Sequence, residues 1–308
     1  MARKTYPLQV EINEERILKL KAVYIKAYKN ILSLLKSSTD FGSFHRRQIL
    51  GQIDSILEEM GVDIRDYLEE ELPDYYKMGA DDAVRQLKHL GAPINVERGF
   101  NLIHQEAIIA ITDDTMISFG EGINGVSRAA RRLMSEASKD LIRYELAEGT
   151  ISGSALREVR RKIRGILEEE GLEALVDKAG RRWSLDRYSE MLIRTKAVEA
   201  RNIGMANRMV ENQYDLVQVT DHMDECELCR PWEGKILSLT GNTPGYPTLA
   251  EAEAAGLFHP NCRHAINALV PILAEKTRAY YPEEKTKKIS EAEIKKAVGE
   301  TRTIDKDP

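Results

Sequence analysis

Residues 13–37 set Ile17, Leu20, Tyr24, Ala27, Ile31 and Leu34 at steps of three and four, with charged residues between them. That period lines one face of a helix with apolar side chains. Ile49, Ile53, Ile56 and Met60 repeat it over 45–60, and it continues over 64–90. Pro73 is expected to kink or restart the second of these helices, because it lacks an amide hydrogen and clashes with the preceding turn. After the break at Pro93 and "INVERGF", helical spacing resumes over about 97–111 and 115–147, and the glycines of "GEGINGVS" are expected to split the latter. Gly149 fits a helix stop and a serine of "SGS" a helix start. Ile163, Ile166 and Leu167 form the next apolar stripe, and Gly171 ends it. "DKAGRRWSLDRY" reads as a connector, with Ser184 capping a long helix from Leu185 to about Asn212.

The pattern changes at Tyr214. "DLVQVTD" alternates and is β-branched, which predicts a strand. "GKILSLTG" predicts a second strand after a turn at Arg230–Gly234, "LAEAEAAG" a short helix, and "HAINALVP" a third extended segment. From Glu275 charge alternates densely and apolar residues thin out, as in a loosely attached or partly disordered tail. The expected fold class is mainly α. A long-helix region (1–184) precedes a small α+β module (185–272) and a charged tail (273–308).

Bulk charge changes this picture little, since the net is only −5. Its distribution matters more. Residues 51–96 carry eleven acids against four bases, and residues 128–201 seventeen bases against thirteen acids. Such asymmetry suits one face to an anionic partner. The N-terminus lacks the apolar run of a signal peptide, no apolar run is long enough to span a membrane, and three cysteines close no disulfide framework. The expectation is a chain folded in a reducing cytosol.

All three cysteines and three of the six histidines lie between His222 and His264. Cys226-x2-Cys229 is followed, after a long gap, by His259-x2-Cys262-x-His264. Two thiolates two residues apart grip a tetrahedral ion from one side, and a returning hairpin closes the other. Thiolate plus imidazole selects Zn2+. The region from Tyr214 to Pro271 is poor in large apolar residues, so a structural ion would supply stability it otherwise lacks. Cys226, Cys229 and Cys262 are three ligands. His259 is the expected fourth, because its spacing to Cys262 repeats the first pair, with His264 its competitor and His222 more remote. Four ligands leave no open position for a reacting water. The zinc deaminase pattern is not met, since "HMD" abuts Cys226 and carries Asp for Glu, and H-E-x-x-H is absent. No phosphate-binding glycine loop or nucleophile elbow occurs. In the preceding helix, Thr195, Glu199 and Asn202 interrupt an apolar stripe and are expected to hold the helix against the Cys/His module.

"DKAGRRWSLDRYSEMLIRT", "DECELCRPWEGKILSLTG" and "GLFHPNCRH", in that order, resemble the phage head morphogenesis proteins of the MuF-like group, and most of all the minor capsid protein 2 branch. The matching positions are Tyr188, Arg194, Thr195, Cys226, Cys229, Gly234, Lys235, His259, Pro260, Cys262, Arg263 and His264, within about residues 150–272. Many of the group end the last motif in Cys-Arg-Cys where this chain has Cys-Arg-His, which keeps His264 as a ligand candidate. The resemblance implies a non-enzymatic minor head protein, made in the host cytoplasm and built into the procapsid with the portal. Portal, capsid and scaffold proteins would be its partners, and its place inside the virion, near the packaged DNA. It implies no small-molecule substrate. Some of the group carry C-terminal toxin or enzyme domains, and only a short charged stretch follows Pro271 here, so none is expected. Arg157, Arg160, Arg161 and Arg164 are positioned to touch DNA phosphates without reading sequence, although Glu158 and Glu168 compete for them. Two other readings stay open: a zinc-dependent nuclease or toxin-like enzyme, marked by an open metal site, and a cytosolic DNA-binding regulator, marked by sequence preference.

Overall fold

The computed structural model describes residues 14–37, 43–94, 99–148, 157–159, 161–162, 173–176, 182–221 and 227–270. They form α1 (Glu14–Ser37), α2 (Ser43–His89), α3 (Leu102–Glu148), β1 (Glu173–Val176), β2 (Arg182–Ser184), α4 (Leu185–Glu211), β3 (Leu216–Val219), β4 (Ile236–Ser238), α5 (Leu249–Ala254) and β5 (Ile266–Ala268). The expected mainly helical fold with a small sheet is present. The chain divides into two compact units. One gathers Asn13–Glu69 and Asp113–Leu192, the other Met1–Ile12, Glu70–Thr112 and Ile193–Pro308.

In the first unit, the apolar stripe of α1 is buried as its period requires. Ile17, Leu20, Tyr24, Ala27, Ile31 and Leu35 are covered, and it is Leu35, not Leu34, that completes the stripe. Ile53, Leu57, Met60 and Ile64 of α2 and Phe119, Val126 and Met134 of α3 supply the rest of that core. Full burial of each such side chain contributes about 1.5–3 kcal/mol. Tyr24 lies 6.0 Å from Phe119 between ring centres, and burial raises its pKa. Polar groups at the margin find backbone partners. Tyr67 donates to the Arg16 carbonyl at 3.0 Å and Tyr188 to that of Ser118 at 2.9 Å.

Three expectations need correction. Pro73 does not restart the helix: it lies inside an unbroken α2. Its ring removes one backbone bond, at a cost of about 3 kcal/mol, but Leu72, Tyr75 and Tyr76 beside it are buried and offset that loss. The glycines of 120–127 do not split α3 either. Each costs only about 1 kcal/mol in a helix, and Phe119 and Val126 anchor the segment. The supposed connector before α4 contains a strand. β2 pairs antiparallel with β1, with Leu175 opposite Trp183. Strands of four and three residues are too short to show an alternating pattern. The tail 273–308 lies outside the described residues, as does most of the helix expected before Gly171.

In the second unit, α2 and α4 meet backbone to backbone. A Cβ on Gly79 would fall 1.8 Å from the Arg201 carbonyl oxygen, and one on Gly204 2.1 Å from that of Tyr76. Only glycine permits this approach. Beside it the buried Arg201 guanidinium donates to Asp82 at 2.6 and 3.1 Å. The sheet is antiparallel in the order β4-β3-β5. Val217 faces Leu237 on one side and Ala268 on the other. Alternation along β3 sorts its side chains between two clusters. Leu216 packs with Ile236, Tyr246 and Leu269. Val217 and Val219 join Trp232, Leu237 and Ile266, together with Ala83 and Leu87 of α2 and Met205 and Met209 of α4. The strands are therefore not a small module with only a metal to hold it; they share an apolar core with two helices.

Candidate metal centre

Cys229, Cys262 and His264 come together from two loops. After β3 the chain reaches Cys229, whose carbonyl accepts from Trp232 at 2.8 Å and Glu233 at 3.1 Å. This short turn, Arg230–Trp232, starts with Pro231 near its N-terminus and buries Trp232. Gly234, at φ 67°, then swings the chain into β4. The return loop is "HPNC". Cys262 donates to the His259 carbonyl at 2.9 Å, with Pro260 at the second position and Asn261 at φ 64° at the third. These are the features of a type II turn. Asn261 also donates from its backbone to Thr195 Oγ1 on α4, at 3.0 Å, and Ile266 donates to Asn202 Oδ1 at 3.3 Å. Thr195 thus holds the helix against the Cys/His loop and Asn202 holds it against β5, as expected of them, whereas Glu199 pairs with Lys196 of its own helix at 2.7 Å.

The three ligand atoms lie within 4.8 Å of one another, and all three residues are buried. Cys229 Sγ is 3.5 Å from Cys262 Sγ, which is 3.3 Å from His264 Nδ1. Both cysteines are free thiols. Zinc–sulfur bonds of about 2.3 Å and zinc–nitrogen bonds of about 2.0–2.1 Å give tetrahedron edges of about 3.8 Å (S–S) and about 3.5 Å (S–N). The Cys229–Cys262 and Cys262–His264 spacings need only a slight expansion to fit. The charge state of Cys262 fits as well. The hydrogen bond with Cys229, opposed by burial and helped by His264, lowers the Cys262 pKa to about 4. Burial resists protonation of His264, but its bonds to Cys262 and Glu233 prevail and raise its pKa. A thiolate is the form that binds metal. The donor set fits zinc: thiolates and an imidazole, enclosed.

Of the expected ligands, His259 is not in this group. Its Nδ1 lies 2.8 Å from the Pro260 carbonyl oxygen, and its contribution to the loop is its own backbone carbonyl. Cys226 and His222 lie outside the described residues. Glu233, whose Oε1 is 2.8 Å from His264 Nε2, was not singled out from the sequence. A glutamate in "RPWEGK" carries no ligand spacing, and only the return loop brings His264 to it. Arg157 and Arg161 are exposed, and Arg161 pairs with Glu158 at 2.7 Å. Arg160 and Arg164 lie outside the described residues. Among the described residues no helix is long and apolar enough to cross a membrane.

The buried Cys/His cluster, set in a mainly helical chain with a small sheet, is compatible with metal binding. The family model for phage minor capsid protein 2 matches residues 40–306, and the chain belongs to that family. A structural protein of Lactococcus phage LL-H is 25% identical over 118 residues, covering 36% of this chain. The chain spans about a third of the length of that curated relative, 32%. No solved structure matches the chain. The protein is thus a phage minor capsid protein, as the three sequence motifs imply.

Proposed function

We propose that this minor capsid protein is a non-enzymatic adaptor inside the head, near the portal, with its sheet stabilised by one structural Zn2+. The single observation that carries the metal reading is the closure of the cluster. Cys229, Cys262 and His264 are each no more than 6% exposed, which suits an ion that holds loops together better than one that meets a substrate. Cys226 is the proposed fourth ligand, since Cys-x2-Cys spacing brings it to the same ion as Cys229. The ion supplies crosslinking between the loop after β3 and the loop before β5, while the protein sets the thiolates and the ring around it. Family membership supports contact with other virion proteins, among which the portal, capsid and scaffold proteins are the proposed partners. The exposed Arg157 and Arg161 support weak, sequence-blind contact with packaged DNA.

Metal analysis of protein purified under reducing conditions without chelator tests the site, with one zinc per chain expected. A ratio near zero overturns it. Protease protection tests the location. The protein should be protected in intact heads and digested once the heads are opened, and digestion in intact heads would place it outside.

A further inference from the structure

We infer that Glu233 is a positioning residue for the metal centre, fixing the His264 ring so that Nδ1 is its binding atom. The inference rests on the metal reading above. Glu233 Oε1 lies 2.8 Å from His264 Nε2, and the two side chains are 10% and 4% exposed. An ionised carboxylate only accepts hydrogen bonds, so Nε2 carries the hydrogen. The neutral ring then has its lone pair on Nδ1, the atom 3.3 Å from Cys262 Sγ and turned toward the thiol cluster. Glu233 is itself held from both sides. Its backbone donates to the Cys229 carbonyl at 3.1 Å, Trp232 before it is buried, and Gly234 after it takes a positive φ. The same turn that presents Cys229 therefore presents the carboxylate that orients His264, thirty-one residues away.

The carboxylate does not join the donor set, because it occupies the far nitrogen of the ring. It leaves thiolates and one imidazole as ligands, a soft set that discriminates against magnesium and calcium. What it contributes is a single ring orientation and a more basic Nδ1. Removing such a partner weakens metal binding about 10–100-fold.

The test uses the full chain with Zn2+ and, as a spectroscopic probe, Co2+. Zinc affinity is read by competition with a chromophoric chelator. Cobalt absorption reports thiolate ligands through charge-transfer bands and site symmetry through d–d bands. Glu233→Ala should weaken zinc binding about 10–100-fold and shift the d–d bands, with thiolate charge transfer unchanged. Glu233→Gln, which keeps an acceptor for Nε2 without the charge, should recover part of the affinity and most of the wild-type spectrum. It carries the test alone if the alanine variant does not fold, a lowered affinity at full thiolate intensity being the expected result. Wild-type affinity and spectrum in both variants would overturn the role of Glu233 and leave the metal site standing. Failure of the unaltered protein to bind either ion at one per chain would overturn the metal reading itself.

Discussion

The two compact units use different means to solve the same problem. The unit of Asn13–Glu69 and Asp113–Leu192 is stabilised by periodicity: apolar residues every three or four positions bury Ile17, Leu20, Tyr24 and Ile31 almost completely. Exposed ion pairs in it, such as Lys26 with Glu59 at 2.8 Å, contribute little. The other unit has short strands and loops whose side chains cannot form a broad stripe. Beside the apolar core that the strands share with α2 and α4, it relies on particular contacts: a glycine crossing, a buried Arg201–Asp82 pair, a clustered Cys/His site and backbone N–H groups that donate to the Thr195 and Asn202 side chains. Distributed burial tolerates change gradually. Point contacts fail one at a time, and completely.

The sharpest way to test that contrast is to remove the metal. Chelation, or Cys262→Ser, should remove the proposed ion's contribution, which is less than the roughly 10 kcal/mol of a zinc-finger peptide because the strands also share an apolar core with two helices. Hydrogen exchange should then rise over 216–270 while residues 14–35 keep their protection. Because Ala83, Leu87, Met205 and Met209 share the core with the strands, the nearby ends of α2 and α4 should loosen too. Uniform loss of protection along the chain would erase the distinction. Ile31→Ala is the reciprocal change, expected to cost about 2–5 kcal/mol by cavity formation. Thermal unfolding should register it with zinc content unchanged, and a fall in bound zinc would mean that the two units are not separable. Gly79→Ala forces a methyl group against the Arg201 carbonyl, and overpacking of this kind costs about 1–3 kcal/mol. A midpoint in denaturant equal to that of the unaltered chain would show that the crossing yields easily.

The smallest effect is a matter of pH. Burial opposes ionisation of Asp215, but bonds from Ser238 at 2.6 Å, Thr240 at 2.7 and 2.8 Å and Thr243 at 2.6 Å lower its pKa. A depressed carboxylate stabilises the fold above its unfolded pKa of about 3.9, and that stability is lost as pH falls through the lower folded value. Asp215→Asn should therefore flatten the acid limb of a stability–pH curve. An unchanged limb would show that the loop is held by other groups.

Much of this was legible in the sequence, and the failures have physical causes. The stripe of α1 and the span of α4 follow from period, β3 from alternation of its β-branched residues in "DLVQVTD", and β4 and β5 from the turn and loop residues that bound them. Leu34 was read for Leu35 because the helical repeat drifts by a fraction of a residue over several turns. Neither Pro73 nor the glycines of α3 interrupt their helices, because local propensity, a few kcal/mol at most, yields to burial that only the folded chain reveals. The cysteine and histidine spacing indicated the metal centre but not which histidine faces the cysteines. His259 repeats the bite of the first pair in sequence, yet the turn it opens uses its backbone, and the extended stretch after Cys262 brings His264 to the thiolates instead. The capping box of Thr248 and Glu251 on α5 was present as a T-x-x-E spacing and passed over in a segment of six residues.

Between the two ligands of the return loop stands Arg263. Cys262 and His264 are buried and Arg263 is exposed, as successive residues of an extended segment alternate in direction. A trypsin site is thereby displayed between two ligands. With the proposed ion bound to both neighbours, the backbone there could not adapt to a protease cleft, and without it the same bond would become a substrate. Cleavage after Arg263 would then serve as a clock for metal loss, readable on a gel from partly assembled heads without purifying the protein.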